Sequence, residues 1–198
     1  MRLGQGSARK RSFPDAAGDA CTLGAMSRLR LVTPADGASL AVLLEQSRTY
    51  LAPWEPIRPD SYFTADGQQA DLEAALERHA RGDTAPFVIL DDDGAVAGRL
   101  TLSGIARGPF QSCAMGYWVA QTRAGRGLAT DAVAAALKYA FTTIGLHRVQ
   151  AETLLSNHPS QRVLQRNGFE RYGLAPRYLK IAGIWQDHLM FQRVTDDA

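Results

Sequence analysis

The chain has 198 residues, of which 45% are hydrophobic and 21% charged, with a formal net charge of +2. These values describe an ordinary globular chain and exclude a strongly basic protein whose main partner is duplex nucleic acid. No apolar run approaches the roughly 18–20 residues that cross a membrane, and the two cysteines, Cys21 and Cys113, make neither a disulfide framework nor a metal-ligand cluster. A reduced, cytoplasmic setting is the simpler reading of that cysteine usage.

Residues 1–27 differ from the rest. They are rich in Gly, Ala, Ser and Arg and show no sustained period, so they are expected to form a disordered tail. Their basic start lacks the apolar core of a secretory signal. Met26 is an alternative start, which would leave the tail outside the native protein. The folded domain is expected over 28–198.

Leu29 to Val32 reads as a first strand. Thr33-Pro34-Ala35-Asp36 follows with the pattern of a capping box, a proline at the first helical position and a carboxylate three after the cap. Leu40, Leu43, Leu44, Ser47 and Leu51 then fall near helical spacing. Residues 52–65, with three prolines and three aromatics, read as a structured loop. Gln68 to Arg81 is a polar helix stopped by Gly82.

Pro86 to Leu90 and Ala95 to Ser103 flank Asp91-Asp92-Asp93-Gly94, the pattern of a hairpin with an Asp-Gly turn. Ser112 to Ala120 is the next strand, and a helix follows the glycines to about Ile144, with Gly145 as its stop. His147 to Leu155 is a strand, Pro159 to Asn167 a short helix with Gly168 at its end, and Phe169 to Val194 two strands joined at Ala182-Gly183. The order β-α-α-β-β-β-α-β-α-β-β predicts an α/β (α+β) fold, a mixed sheet with helices on its faces.

Two segments carry chemistry. Gly116 to Thr130 (GYWVAQTRAGRGLAT) is an alternating strand that ends in a basic, glycine-rich turn and opens into an Ala-rich helix. Such a turn exposes backbone N–H groups beside the positive end of a helix, which suits an anion and above all a phosphate. Gly125, Gly127 and Ala129 leave room for a pyrophosphate, Arg123 and Arg126 add charge, and Thr130 adds a hydroxyl. A bare Gly-x-Gly also serves merely to close a helix against a strand. The second segment, Asn157 to Phe169 (NHPSQRVLQRNGF), places Arg162 and Arg166 on one helical face. Asn157 is either a local cap or a partner for an amide-containing ligand, and Ser160 sits at the helix start.

In this order and spacing the two segments resemble the GCN5-related N-acetyltransferases (GNAT). Ala124-Gly125-Arg126-Gly127-Leu128-Ala129 matches that family's acyl-CoA loop except at Ala124, where Gln or Arg is usual. Asn157-x-Pro159-Ser160-x-Arg162-Val163-Leu164 and Asn167-Gly168-Phe169 match its later motif. Pro53-Trp54-Glu55-Pro56, Gly116-Tyr117-Trp118, Leu146-His147-Arg148 and Trp185-Gln186-Asp187-His188 resemble its RimJ-type branch, which acetylates the N-terminal amine of ribosomal proteins. The resemblance spans roughly residues 28–194.

The resemblance implies a GNAT-like, mostly antiparallel sheet flanked by helices on both faces. It implies acetyl-CoA as cosubstrate, no metal, and direct transfer to an amine while both ligands are bound. Trp118, Val119, Arg123, Ala124, Gly125, Arg126, Gly127, Leu128, Ala129, Thr130, Asn157, Ser160 and Arg166 would hold acetyl-CoA. A backbone N–H near Val119 would polarise the thioester carbonyl, and Ser160 would protonate the leaving thiolate. A free α-amine titrates near ~7.7–8.0 and lysine near ~10.4, so an N-terminal acceptor needs only modest base help.

The carboxylate that relatives carry before a late Tyr-Leu is replaced here by Arg177, before Tyr178-Leu179. Glu152 and Glu55 stand in as base candidates, each with a solvated or structural role as the alternative. His147 and His188 read as structural; Trp54, Tyr62 and Phe63 either line the acceptor end or pack their loop. A protein N-terminus, that of a ribosomal protein, is the expected acceptor, with neither a membrane nor sequence-specific nucleic acid as a partner. A small-molecule amine acetyltransferase and a non-catalytic CoA-binding, ribosome-associated module are the alternatives.

Overall fold

The computed structural model describes residues 28–195; the expected tail at 1–27 and Cys21 lie outside them. One seven-stranded sheet runs in the order β1-β2-β3-β4-β5-β7-β6. Its strands are β1 (Leu29–Leu31), β2 (Thr84–Leu90), β3 (Val96–Ala106), β4 (Ser112–Val119), β5 (Arg148–Leu154), β6 (Glu170–Ile181) and β7 (Ile184–Val194). Every neighbouring pair is antiparallel except β4 with β5. The helices are α1 (Gly37–Gln46), α2 (Arg48–Leu51), α3 (Ala65–Ala80), α4 (Leu128–Lys138) and α5 (His158–Arg166). The expected mixed, mostly antiparallel sheet with helices on its faces is the fold observed.

β2 lies inside the sheet and is covered on both faces, which is why its sequence is a continuous apolar run rather than an alternating one. Phe87 and Ile89 pack toward α4 with Leu100, Leu102 and Val133. Val88 points the other way, into a smaller cluster with Val32, Leu40 of α1 and Leu72 of α3. β2 starts at Thr84, two residues before Pro86. The proline is tolerated because it lies at the end of the pairing with β1: its carbonyl still accepts the Val32 N–H at 3.1 Å, and only the return bond is missing.

The Thr33–Asp36 capping box is present, but it opens a single 3-10 turn before α1. Burial pushes the Asp36 carboxyl up. The Arg30 guanidinium and the Thr33 amide outweigh it and hold the group below its ordinary range. α4 stops at Lys138, earlier than expected, and passes into a π turn over Tyr139–Thr143. Thr142 there returns its hydroxyl to the Lys138 carbonyl at 2.8 Å, a local bond that competes with the helical ladder. Among the described residues no helix is long and apolar enough to cross a membrane.

Candidate active site

The sheet is open at one place. β4 and β5 pair only from Ser112–Arg148 to Ala114–Gln150. Beyond that point β4 stays with β3 as far as Val119, and β5 stays with β7 as far as Leu154, so the two strands part. A cavity of ≈ 500 Å³ fills the opening. Ala120 donates its N–H to the Ala97 carbonyl of β3 at 2.9 Å. Amides alternate along a strand, so the Val119 N–H points away from β3 and toward the opening.

At one end lies the glycine turn. Gly125 and Gly127 hold φ of +77° and +83°, which L side chains rarely adopt, and a Cβ at either would meet nothing within 4 Å. Gly127 is the N-cap of α4, so the first-turn amides of that helix face the same end. Arg123, Ala124, Gly125, Gly127, Leu128, Ala129 and Thr130 all line the cavity, as do Arg162 and Arg166 from α5. Arg126 does not. Set between two left-handed glycines, its side chain turns out to the β2–β3 turn and pairs with Asp92 at 3.8 Å. Its side chain therefore stands outside the residues that line the cavity.

α5 closes the same wall. The Asn157 side-chain oxygen accepts the Ser160 N–H at 3.1 Å, capping the helix. The local-cap reading therefore holds for that oxygen, while Asn157 still lines the cavity. Asn167 donates to the Thr130 carbonyl at 3.2 Å and to the Val163 carbonyl at 2.9 Å, tying the end of α5 to the start of α4.

Midway, the Tyr117 hydroxyl lies 2.9 Å from Ser160 Oγ and donates to the Ser160 carbonyl at 3.3 Å. Burial pushes the Tyr117 phenol up to about 12, with the Ser160 hydrogen bond pulling the other way. At neutral pH both hydroxyls keep their protons. Sequence reasoning named Ser160 and gave Tyr117 no role. The signal was the two-residue alternation of β4, which sets Tyr117 on the same face as Met115 and Val119.

The far end carries the carboxylates. Glu55 and Glu152 both line the cavity. Burial raises each: Arg58 and Arg99 pull Glu55 back, and a backbone hydrogen bond does so for Glu152. Trp54 lines this end, but Tyr62 and Phe63 do not. Those two rings pack edge to face at 5.5 Å, with Arg58 over one and Arg48 over the other, so their loop-packing alternative is the observed one. The Ala182 N–H, in the β6–β7 turn, donates to the Glu55 carbonyl at 2.9 Å, which holds the 52–63 loop against the sheet.

His188, read as structural, is 3% exposed yet lines the cavity. Its Nδ1 lies 3.0 Å from the Gln186 carbonyl. A carbonyl only accepts, so Nδ1 carries a proton. His147 lies away from the cavity, 3.2 Å from the Thr195 hydroxyl. Arg177 sits at an irregularity of β6 with φ +49°, donates its amide to Asp187 at 2.8 Å and does not line the cavity. Among the described residues no group of three His, Cys, Asp or Glu is placed to hold a metal ion.

The profile described as an acetyltransferase (GNAT) domain matches residues 27–170. The chain is 36% identical over 170 residues to the ribosomal protein uS5-alanine N-acetyltransferase of Escherichia coli, covering 85% of this chain and 88% of that protein. Among solved structures, Mycobacterium smegmatis RimJ in complex with CoA-disulfide superposes with a TM-score of 0.82 at 34% identity, covering 85% of this chain and 82% of that one. The ribosomal-protein-S5-alanine acetyltransferase of Vibrio fischeri superposes with a TM-score of 0.81 at 32% identity, covering 85% and 93%.

Proposed function

The chain belongs to the GNAT acetyltransferase family, and on that premise we propose that it transfers the acetyl group of acetyl-CoA to the N-terminal α-amine of a ribosomal protein. The observation that carries this reading is the parted β4–β5 pair: one opening joins an arginine-flanked glycine turn to an end walled by carboxylates and aromatics. The 36% identity to a uS5-alanine N-acetyltransferase over 85% of the chain supplies the acceptor class. A ribosomal acceptor places the reaction in the cytoplasm, and residues 28–198 constitute the catalytic domain.

The donor's phosphates rest on the amides of residues 125–130, with Arg123 and Arg166 as counter-charges, and Trp118 flanks the pantetheine arm. The Asn157 carboxamide nitrogen, left over from capping, bonds that arm. The acceptor nitrogen attacks the thioester carbon and the carbonyl electrons move to oxygen. The Val119 N–H meets that oxygen as its charge develops. Collapse breaks the C–S bond, and the departing sulfur takes its proton from Ser160, which Tyr117 holds in place and which regains a proton from solvent as the thiol leaves.

The amine's excess proton passes to Glu152 or Glu55, or to water. Roughly a tenth of an α-amine is already neutral at pH 7, so this step is the least demanding. Thiol release with a panel of peptides tests the reading. A free N-terminal alanine should be turned over, and an N-terminally blocked peptide carrying lysine should not. Turnover of small amines alone would overturn it.

A further inference from the structure

The β2–β3 turn, Asp91-Asp92-Asp93-Gly94, has no part in the mechanism above, yet it is bonded to the glycine turn at several points. The Asp91 side chain is 2% exposed, and its two oxygens are divided between two tasks. Oδ1 accepts the amides of Asp93 at 3.0 Å and Ala95 at 2.9 Å, which closes the hairpin. Oδ2 lies 3.0 Å from Arg123 Nη1. A buried carboxylate without a partner is strongly disfavoured, so the arginine and the aspartate fix each other.

Asp92 pairs with Arg126 at 3.8 Å and with Arg28 at 2.6 Å, and Arg28 reaches on to Asp131, in the first turn of α4, at 3.5 Å. The hairpin turn thus grips the glycine turn before it, within it and after it. Only the Arg123 contact joins a buried carboxylate to a residue that lines the cavity.

We propose that Asp91 is a positioning residue for the phosphates of the acyl-CoA donor: it fixes the Arg123 guanidinium at the cavity wall, so that the charge is in place before the donor arrives. This rests on the donor site proposed above. Arg123 carries rotamer freedom that binding would otherwise have to quench; the Asp91 carboxylate removes it in the free protein. Asp91 touches no reacting atom, so its effect belongs to donor affinity and not to the chemical step.

The test is Asp91→Asn. Asparagine keeps an oxygen for the Asp93 and Ala95 amides and loses the ion pair. Calorimetric titration with CoA should show affinity reduced about tenfold as the Arg123–Asp91 ion pair is lost. KM for acetyl-CoA should rise in step, with kcat held. Arg123→Gln should weaken CoA similarly, and Asp91→Asn should add less than twofold in that background. With S-acetylpantetheine, which carries no phosphate anhydride, the Asp91→Asn effect on kcat/KM should fall below twofold. Asp93→Asn, an exposed neighbour in the same turn, should bind CoA as the wild type does.

A merely structural Asp91 would lower Tm and CoA affinity equally in both Arg123 backgrounds, and that result overturns the inference. So does unchanged or tighter CoA binding by Asp91→Asn, the latter meaning that Asp91 competes with the phosphates. Wild-type protein that fails to bind CoA overturns the donor site itself, and is thereby distinguished from failure of the Asp91 role alone.

Discussion

Gly98 offers a direct probe of the amide at the centre of the opening. It sits on β3 opposite Val119 of β4. A Cβ on Gly98 would stand 2.2 Å from the Trp118 carbonyl oxygen and 2.9 Å from Val119 Cα, whereas ordinary contact begins at 3.4 Å. Both atoms are backbone, so no side-chain rotation relieves the clash. Gly98→Ala must therefore push β4 from β3 by about 1 Å at the residue whose N–H is assigned to the oxyanion, and a displacement of that size costs about 10²-fold in rate. That is about 2.7 kcal/mol of transition-state stabilisation, on top of about 1–3 kcal/mol of overpacking lost from folding stability.

The assay is steady-state thiol release with an N-terminal-alanine peptide, well below the variant's Tm, beside a calorimetric titration with CoA. kcat should fall about 10²-fold. CoA affinity should change little, because the phosphates are assigned to residues 123–130 and not to β3. A Gly98→Ala enzyme with kcat within twofold of wild type would refute the assignment of the oxyanion to the Val119 amide. Equal losses in affinity and kcat would show that the whole opening had shifted rather than its centre.

Gly127→Val should fold, since the new Cβ meets no atom within 4 Å and the left-handed backbone costs about 1–2 kcal/mol. It should nevertheless abolish CoA binding by calorimetry, because the side chain occupies the space assigned to the pyrophosphate. Ser160→Ala should lower kcat by about 10² with KM for acetyl-CoA nearly unchanged, the size expected for loss of a general acid; an unaltered kcat would remove Ser160 from the proton path. Glu152 is raised by burial, so the fold favours its neutral form. Its ionised form costs stability at neutral pH, and that cost disappears as pH falls through the ordinary carboxylate range. Glu152→Gln should therefore have a higher Tm than wild type at pH 7.5 and an equal one near pH 4, by thermal denaturation at the two pH values.

The order of strands and helices was legible because each element's period is local. β4 alternates, α4 repeats its apolar residues at helical spacing, and glycines with positive φ stop elements at Gly82, Gly145 and Gly168. The glycine turn was legible for the same reason, since a left-handed backbone and a small side chain are properties of single residues. The π turn after Lys138 and the break between α1 and α2 were not, because both leave the helical period nearly intact.

By itself, then, the sequence determined the elements, the glycine turn and its pairing with Asn157–Phe169, because these depend on residues close together along the chain. Only the tertiary structure decided which charges serve the cavity. Arg123 and Arg126 are three apart and alike in sequence, yet one lines the opening and the other faces Asp92, because two left-handed glycines reverse the backbone around Arg126. The contact of Tyr117 with Ser160 and the grip of Asp91 on Arg123 join residues 43 and 32 positions apart. Such pairings arise from sheet order and helix packing, and no local pattern encodes them.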